Sequence, residues 1–439
     1  MNTGLNYMTQ LDVNTANTEE QNHLRYFDHL IILLLLFYGW SGEWTWGRQE
    51  GFLGLFLIYA SLAAFPAFCC YYYFKNKGAV RINLIGTAGI SAGLLLAAFA
   101  VICLVERSES DLEQIWYVWK EYYYLAMLPA WWILGFVIAD DMSRMKNFFN
   151  SLAKIGALLS YISFAMQTVG FSSESWLGPM YWPFRFIVIF SFFYFLTLVI
   201  ACRDWKKSDL FWLMGSAIAV FWGFYKFTII STALGMIGWG IFIMLKWPSA
   251  RGKVVFRLLA MAVIAFIVVN AVNSITGGAL FNEIDEIYNE KWVHYADQYD
   301  TGSDEWMEQL SGGRYYMWMY TLDRVGRNWW VGTGLGQHFD GYIVNHNGYL
   351  DILTSFGILG SIVFLLLLLL WIVKLIMMRP PPDIIMLQAA YIGYFCTILA
   401  ANMFGSVWIQ FHTISFYIML LGGILYRLSV NVKPVEGAK

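Results

Sequence analysis

Residues 311–360 read SGGRYYMWMYTLDRVGRNWWVGTGLGQHFDGYIVNHNGYLDILTSFGILG, and the chain continues directly through the apolar run ILGSIVFLLLLLLWIVKLI at 358–376. A polar segment rich in arginine, glycine and aromatic residues therefore leads straight into a run long enough to cross a membrane, because one crossing needs about 20 apolar residues. We expect the chemistry of the chain to lie at this junction.

The composition is that of a membrane protein. The chain has 439 residues, of which 59% are hydrophobic and 13% charged, whereas soluble domains carry about 25% charged residues. The net charge of −2 gives no reason to expect nucleic-acid binding. We predict an all-α, polytopic integral membrane protein with about twelve transmembrane helices. The predicted spans are 29–42, 51–74, 82–105, 116–139, 148–169, 183–201, 210–225, 230–246, 254–273, 349–373, 384–403 and 412–430.

Lysine and arginine residues set the predicted orientation of these spans. Every loop on the side of the N-terminus is basic, and the loops on the other side together carry fewer Lys and Arg residues, so we place both termini in the cytoplasm. Residues 1–273 then form an N-terminal transmembrane bundle of about nine spans. Residues 274–348 form one large periplasmic loop, and 349–439 form the C-terminal transmembrane helices. The polar N-terminus lacks a cleavable signal pattern, so we expect the first span to be retained.

The five cysteines of the chain lie in predicted spans or at their edges. We therefore expect no structural disulfide, and no Cys-x-x-Cys metal motif occurs in the sequence.

The first half of the large loop is acidic and contains regularly spaced aromatic residues between 281 and 308. This pattern predicts amphipathic helices on the membrane surface. Such helices could be a solvated cap, as most charge runs are, or a lid whose aromatic rings stack on sugars.

The second half of the loop carries Arg314, Arg324 and Arg327 among tyrosines and tryptophans. Arg314, Trp318 and Leu322 are spaced at i, i+4, which predicts one helix face that combines a guanidinium group with apolar neighbours. Arg324 and Arg327 could bind substrate, or could pair with lipid headgroups or neighbouring aspartates.

Gly332, Gly334 and Gly336 form a Gly-x-Gly-x-Gly turn. Its backbone N–H groups could face an anion, but taken alone the glycines are better explained by a tight turn that returns the chain to the membrane. No lysine followed by serine or threonine comes after the turn, so it is not a Walker-type phosphate loop.

His346 and Asn347 stand where the next span begins. Asn345 or Asn347 could cap that helix, and His346 could be an ordinary interfacial histidine. An imidazole with a pKa near 6.5 is also a natural proton acceptor at neutral pH, which makes His346 the candidate general base.

In order and placement these motifs resemble those of the O-antigen ligase and O-antigen polymerase superfamily. Its members share an SGR-x-x-x-W stretch, a G-x-G turn, His-Asn-x-x-Leu and a G-x-x-G helix. The matching residues here are Ser311 to Arg314 with Trp318, Gly332 with Gly334, His346 to Leu350, and Gly357 with Gly360.

The resemblance implies a metal-independent glycosyltransferase of the bacterial inner membrane that needs no cofactor. Its donor would be a glycan on undecaprenyl diphosphate, used on the periplasmic face. The acceptor would be lipid A-core, as in a ligase, or another lipid-linked repeat unit, as in a polymerase. A protein acceptor is a third option. Membrane lipid and polysaccharide-assembly proteins are further expected partners.

The resemblance also implies roles for individual residues. His346 would take the proton from the acceptor hydroxyl, and Arg314 would bind the diphosphate leaving group, for which a guanidinium is well suited. The full set expected to contact diphosphate or glycan is Arg314, Arg324, Arg327, Arg185, Lys226, Asn347, Tyr349 and Trp318.

The chain departs from the family pattern in three places. Ser231-Thr232-Ala233 stands where members often have Ser-Arg-Gly, so a second cation is missing there, and Lys226 or Arg185 would have to replace it. Arg185 could instead simply extend to the membrane interface. Trp330-Val331 replaces a proline before the G-x-G turn, and Ser355 replaces an acidic residue near the G-x-x-G helix.

Two other functions fit the composition. A transporter or flippase of lipid-linked sugars would show internal repeats and charges at mid-membrane depth, and neither is prominent in the sequence. A non-catalytic subunit of a polysaccharide assembly complex would tolerate replacement of His346 and Arg314.

Overall fold

The fold is seen in a computed structural model, which describes residues 28–29, 31–33, 131–139, 141–168, 182–202, 205–222, 226–248, 251–275, 299–300, 302–311, 313–327, 329–332, 347–378, 380–403 and 412–431. These ranges are helical with short connections and contain no strand. The principal helices are α1 (Met142–Thr168), α2 (Trp182–Ala201), α3 (Lys207–Trp222), α4 (Lys226–Lys246), α5 (Arg251–Ile275), α6 (Asp304–Ser311), α7 (Tyr315–Arg327), α8 (Gly348–Met377), α9 (Pro382–Ala401) and α10 (His412–Asn431).

The apolar helices make this a membrane-embedded, all-α protein. Within the described residues, four helical segments are long and apolar enough to cross a membrane. They are Met142–Ala165, Thr228–Lys246, Gly348–Met377 and Pro382–Ala401. Each span predicted between 148 and 430 overlaps one of the helices above. The spans predicted at 51–74 and 82–105 lie outside the described residues, and the total of twelve stays a prediction.

Helix α9 is the centre of the bundle. It packs along α4 and α2, and its Tyr391, Tyr394 and Phe395 side chains are fully buried. Close approach to α4 depends on small residues, because a Cβ at Gly235 would overlap Thr397 and lie 2.7 Å from the carbonyl oxygen of Gly393. Small residues at helix contacts are the usual way in which membrane helices pack without a hydrophobic driving force.

The basic connections meet at one end of the bundle, which we call the basic end. The first turn of α1 reaches the first turn of α9, the last turn of α4 reaches the end of α8, and α5 reaches the end of α2. Lys146 of α1 forms an ion pair with Asp383 of α9. Lys246 Nζ at the end of α4 donates to the carbonyl oxygen of Met378, after α8, at 2.9 Å. Arg257 Nη1 of α5 donates to the carbonyl oxygens of Val199 and Cys202 at the end of α2, both at 2.8 Å.

The start of α8 lies at the opposite end, which we call the motif end. The backbone N–H of Gly348 donates to the carbonyl oxygen of Asn402, the residue after α9, at 2.8 Å. Helix α9 has 20 residues, so the two ends are separated by about 30 Å at 1.5 Å per residue.

Candidate functional site

The Ser-Gly-Gly-Arg motif is a tight junction between α6 and α7. Ser311 Oγ accepts hydrogen bonds from the backbone N–H groups of Arg314 at 3.0 Å and Tyr315 at 2.8 Å. A Glu308 carboxylate oxygen accepts the Tyr316 N–H at 2.8 Å. Side chains of α6 and the junction thus occupy N–H groups that the first turn of a helix leaves without partners. An anion at this point would therefore be held by the guanidinium of Arg314 rather than by those N–H groups.

Gly313 makes the junction possible. Its φ of +82° lies in the left-handed region, which glycine adopts without steric cost. Its N–H donates to the Glu308 carbonyl oxygen at 2.8 Å and so ends α6. Glycine in this conformation is a common helix terminator, and here it lets α7 begin within a few residues.

Arg314 precedes α7 and is half-buried. Burial lowers the pKa of its guanidinium, but the ordinary arginine pKa is so high that the group stays charged at neutral pH. A charged group with part of its hydration removed interacts more strongly with an anion than one fully in water.

The residues of α7 are buried to different extents. Trp318 is half-buried and Thr321 is fully buried, while Leu322 is exposed by 45%. Helix α7 packs on α8. Arg314, Trp318 and Thr321 follow an i, i+4, i+7 stripe, and Leu322, which the i, i+4 spacing groups with the first two, is exposed.

The outer face of α7 is apolar and aromatic. Tyr316, Met319 and Tyr320 are exposed by 41 to 48%. Trp329 and Trp330 after the helix are also exposed, and their ring centroids lie 4.2 Å apart. A helix with this pattern is typical of a membrane surface.

The segment after α7 docks into a break in α8. Gly357 has φ 64° and ψ −171° inside α8, a region open almost only to glycine. The N–H of Ile358 donates to the Trp329 carbonyl oxygen at 2.8 Å, and that of Leu359 to the Trp330 carbonyl oxygen at 3.2 Å. These bonds cap the second half of α8, residues 358–377, which at 1.5 Å per residue is about 30 Å long and matches the hydrocarbon core.

Gly332, the first glycine of the Gly-x-Gly-x-Gly turn, fits against this break. Its φ is +73°, and a Cβ there would lie 2.5 Å from the backbone nitrogen of Gly357 and 2.6 Å from the Thr354 carbonyl oxygen. The two glycines let two backbones touch. For Gly332 the structure favours the tight-turn interpretation; Gly334 and Gly336 lie outside the described residues.

Asn347 is the N-cap of α8. Its side-chain oxygen accepts from the N–H groups of Tyr349 at 3.1 Å and Leu350 at 3.2 Å, which is the standard capping arrangement. The Tyr349 hydroxyl donates to the Leu399 carbonyl oxygen at 2.8 Å. Of the two asparagines considered as caps, Asn347 fills this role. The same contacts hold the start of α8 against the end of α9.

The remaining predicted site residues are described only in part. His346 lies outside the described residues. Arg185, Lys226, Arg324 and Arg327 lie on α2, α4 and α7, but their side chains are also outside the described part of the structure. Their contacts with substrate therefore stay predictions.

The Ser231-Thr232 positions face the interior of the bundle. Both residues are buried, and among the described residues neither hydroxyl has a hydrogen-bond partner. A cation at either position would be buried in apolar surroundings at high cost. The absence of arginine here fits this packing.

Two acidic residues of the junction were not singled out by sequence reasoning. Glu308 holds the first turn of α7, and Asp304 accepts a hydrogen bond of 2.8 Å from the Tyr315 hydroxyl, which raises the pKa of that tyrosine. Their spacing before Ser311, which places both on one short helix, is the sequence feature that could have identified them.

Comparison with known proteins adds no relative: no family model matches the chain, and no curated protein matches it in sequence.

Proposed function

We propose that this protein is a glycosyltransferase of the bacterial inner membrane that works on its periplasmic face. Its donor is a glycan carried on undecaprenyl diphosphate. Its acceptor is a hydroxyl of a second glycan, either another lipid-linked repeat unit or lipid A-core. The proposal includes the predicted topology, with both termini in the cytoplasm and the motif end in the periplasm.

One observation supports the proposal: the helix that follows the Ser-Gly-Gly-Arg motif packs on the helix that follows the His-Asn motif. Helix α7, which begins directly after Arg314, packs on α8. Helix α8 begins directly after His346 and its cap Asn347. A phosphate-binding cation and a proton acceptor at the start of packed helices are the two groups that transfer from a diphosphate donor requires.

The proposed reaction is a single displacement at the anomeric carbon. The acceptor oxygen forms a bond to this carbon as the bond to the diphosphate oxygen breaks, and the configuration inverts. His346 takes the proton of the acceptor hydroxyl. The leaving undecaprenyl diphosphate carries the electron pair, and Arg314 stabilises its developing charge.

The other residues of the set bind rather than react. Arg324 and Arg327, which lie on α7, serve as further cations for the lipid-linked donor. Trp318, with the exposed rings of Trp329 and Trp330, offers apolar faces on which sugar rings stack. Lys226 and Arg185 are the candidates for the second phosphate contact.

The test is glycan display in a strain whose only copy of the chain carries His346→Ala. Glycans are separated by chain length on a gel, and the abundance of the protein in the membrane is measured in parallel. His338→Ala is the matched control, because this histidine lies in the same loop eight residues earlier. Loss of a general base lowers rates about 100- to 10,000-fold, so the glycan ladder should disappear with His346→Ala and persist with His338→Ala.

The pattern that remains identifies the acceptor. Loss of all glycan on lipid A-core, with accumulation of long lipid-linked chains, indicates a ligase. A single repeat unit left on the core indicates a polymerase. An unchanged ladder at normal protein abundance refutes the enzymatic proposal and favours a non-catalytic subunit.

Arg314 gives an independent test with purified protein and lipid-linked donor. Arg314→Lys keeps the charge but loses the planar, bidentate guanidinium, so turnover should fall, and Arg314→Gln should lower it further. Arg107→Gln, in another predicted outer loop, is the control. Equal turnover of all these variants and the wild type would exclude Arg314 as the diphosphate ligand.

A further inference from the structure

A cavity lies at the basic end, about 30 Å from the motif end along α9. Its volume is about 640 Å³, within the usual range of ligand pockets. It opens between the first half of α1, the second half of α2, the start of α3 and the start of α9. The proposed transferase does not use it.

One wall of the cavity is a polar stripe on α1. Lys146, Asn150 and Lys154 line the cavity and follow one another at i, i+4, i+8, which places them on one face of the helix. Lys206 adds a further cation from the connection before α3.

Lys154 is unusual for its position. It lies in the middle of the candidate span Met142–Ala165, about 18 Å along the helix from Met142 at 1.5 Å per residue. Ionisable residues at such depth are costly and generally mark a functional contact. Here the cavity is the polar space into which the lysine faces.

The carboxylates that line the cavity are already engaged. Asp383 forms the ion pair with Lys146, and Asp209 accepts the backbone N–H of Lys206 at 2.7 Å, as in a capping box. Within the part of the chain that the structure describes, no carboxylate pairs with the ammonium group of Lys154 or Lys206. The cavity therefore has cationic groups to offer an anion.

The rest of the lining is apolar and aromatic. Leu198 and Met386 lie on the inner walls, with Trp205 and Trp247 beside them. Tryptophan is the residue typical of the level of lipid headgroups. Lysines beside apolar walls match a molecule with an anionic head and an apolar chain.

We propose that this cavity binds the phosphate ester of an anionic phospholipid. Lys154 and Lys206 contact the phosphate, and Leu198 and Met386 contact the start of the acyl chains. The site is separate from the proposed transferase site, and its test measures lipid binding alone.

The experiment uses the full chain, purified in detergent, and native mass spectrometry of retained lipid. The probes are dioleoyl phosphatidylglycerol and dioleoyl phosphatidylcholine, which share acyl chains and differ in net charge. Lys154→Met removes the charge and keeps the length of the side chain. Lys207→Met is the matched control, because Lys207 is exposed and does not line the cavity.

The wild type should retain phosphatidylglycerol in preference to phosphatidylcholine. Loss of one charge-assisted contact weakens binding about tenfold, so Lys154→Met should lower retention by that factor, whereas Lys154→Arg and Lys207→Met should preserve it. If Lys154→Arg keeps the lipid retention that Lys154→Met loses, the loss comes from the missing charge rather than from misfolding. Displacement of the retained phosphatidylglycerol by glycerol phosphate would support recognition of the phosphate ester. Equal retention of both lipids, or no difference between Lys154→Met and Lys207→Met, would overturn the proposal.

Discussion

Replacement of Gly357 by alanine tests how the loop that precedes α8 is held. The segment from Trp329 to Gly332 docks where α8 is broken, and the break depends on a backbone conformation that alanine resists. We expect Gly357→Ala to release this segment and to let α8 continue as a straight helix, because helical dihedrals relieve the strain.

The magnitude follows from the strain placed on the docked form. The unfavourable dihedrals cost about 1–3 kcal/mol for a residue with a side chain. Opening of the segment also breaks two hydrogen bonds, from Ile358 and Leu359 to the carbonyl oxygens of Trp329 and Trp330, but the wild type and the variant lose them alike. The substitution therefore shifts the docking equilibrium by about 1–3 kcal/mol, which is about 5- to 150-fold in population.

The assay is limited trypsin cleavage after Arg327, which lies just before the docked segment. Cleavage of a transiently open segment follows the population of the open form when closing is fast, so the rate should rise by the same factor as this population. The control is Gly240→Ala on α4, where an added Cβ meets nothing within 4 Å. This variant should cleave like the wild type and be slightly more stable, because alanine favours a helix over glycine by about 0.5–1 kcal/mol.

Cleavage of Gly357→Ala at the wild-type rate, with an unchanged melting temperature, would refute this reasoning. It would mean that the dihedrals at Gly357 are not what couples the loop to α8.

Two further predictions concern helix ends. Ser311→Ala removes the hydroxyl that accepts two backbone N–H groups before α7 and should lower the free energy of unfolding by about 1 kcal/mol. The melting temperature should therefore fall with Ser311→Ala and stay close to that of the wild type with Ser311→Thr. Equal melting temperatures of the two variants would contradict the capping role of the Ser311 hydroxyl. Arg257→Met removes hydrogen bonds to the carbonyl oxygens at the end of α2 and should lower the free energy of unfolding by about 1.5–3 kcal/mol. Its melting temperature should lie below that of the control Lys253→Met, which replaces a basic residue one turn earlier on α5. Equal melting temperatures of the two variants would count against the capping role of Arg257.

Much of the helical framework was accessible from the sequence. Long apolar runs such as 358–376 exclude a soluble fold, because an uninterrupted run of that length needs a membrane around it. Asn347 before an apolar run is a local capping signal, and the structure confirms that cap. Such features depend on residues within a few positions of one another, so they can be predicted from the sequence alone.

The candidate site was accessible only in part. The sequence pointed to Arg314 and His346, but the role of Glu308 in holding α7 was missed because its partner, the N–H of Tyr316, lies across a turn. Helical spacing groups Leu322 with Arg314 and Trp318, but spacing alone does not say which of two adjacent stripes is buried, and the structure leaves Leu322 exposed.

By itself, then, the sequence determined roughly where the long apolar helices of the described part lie and that the protein is membrane-embedded, since hydrophobicity and capping act locally. Only the tertiary structure decided that Gly332 meets Gly357, that Ser231 is buried in the bundle and that Lys154 faces a cavity. These contacts join segments far apart in the chain, and which backbones approach closely enough to touch depends on the packing of the whole bundle.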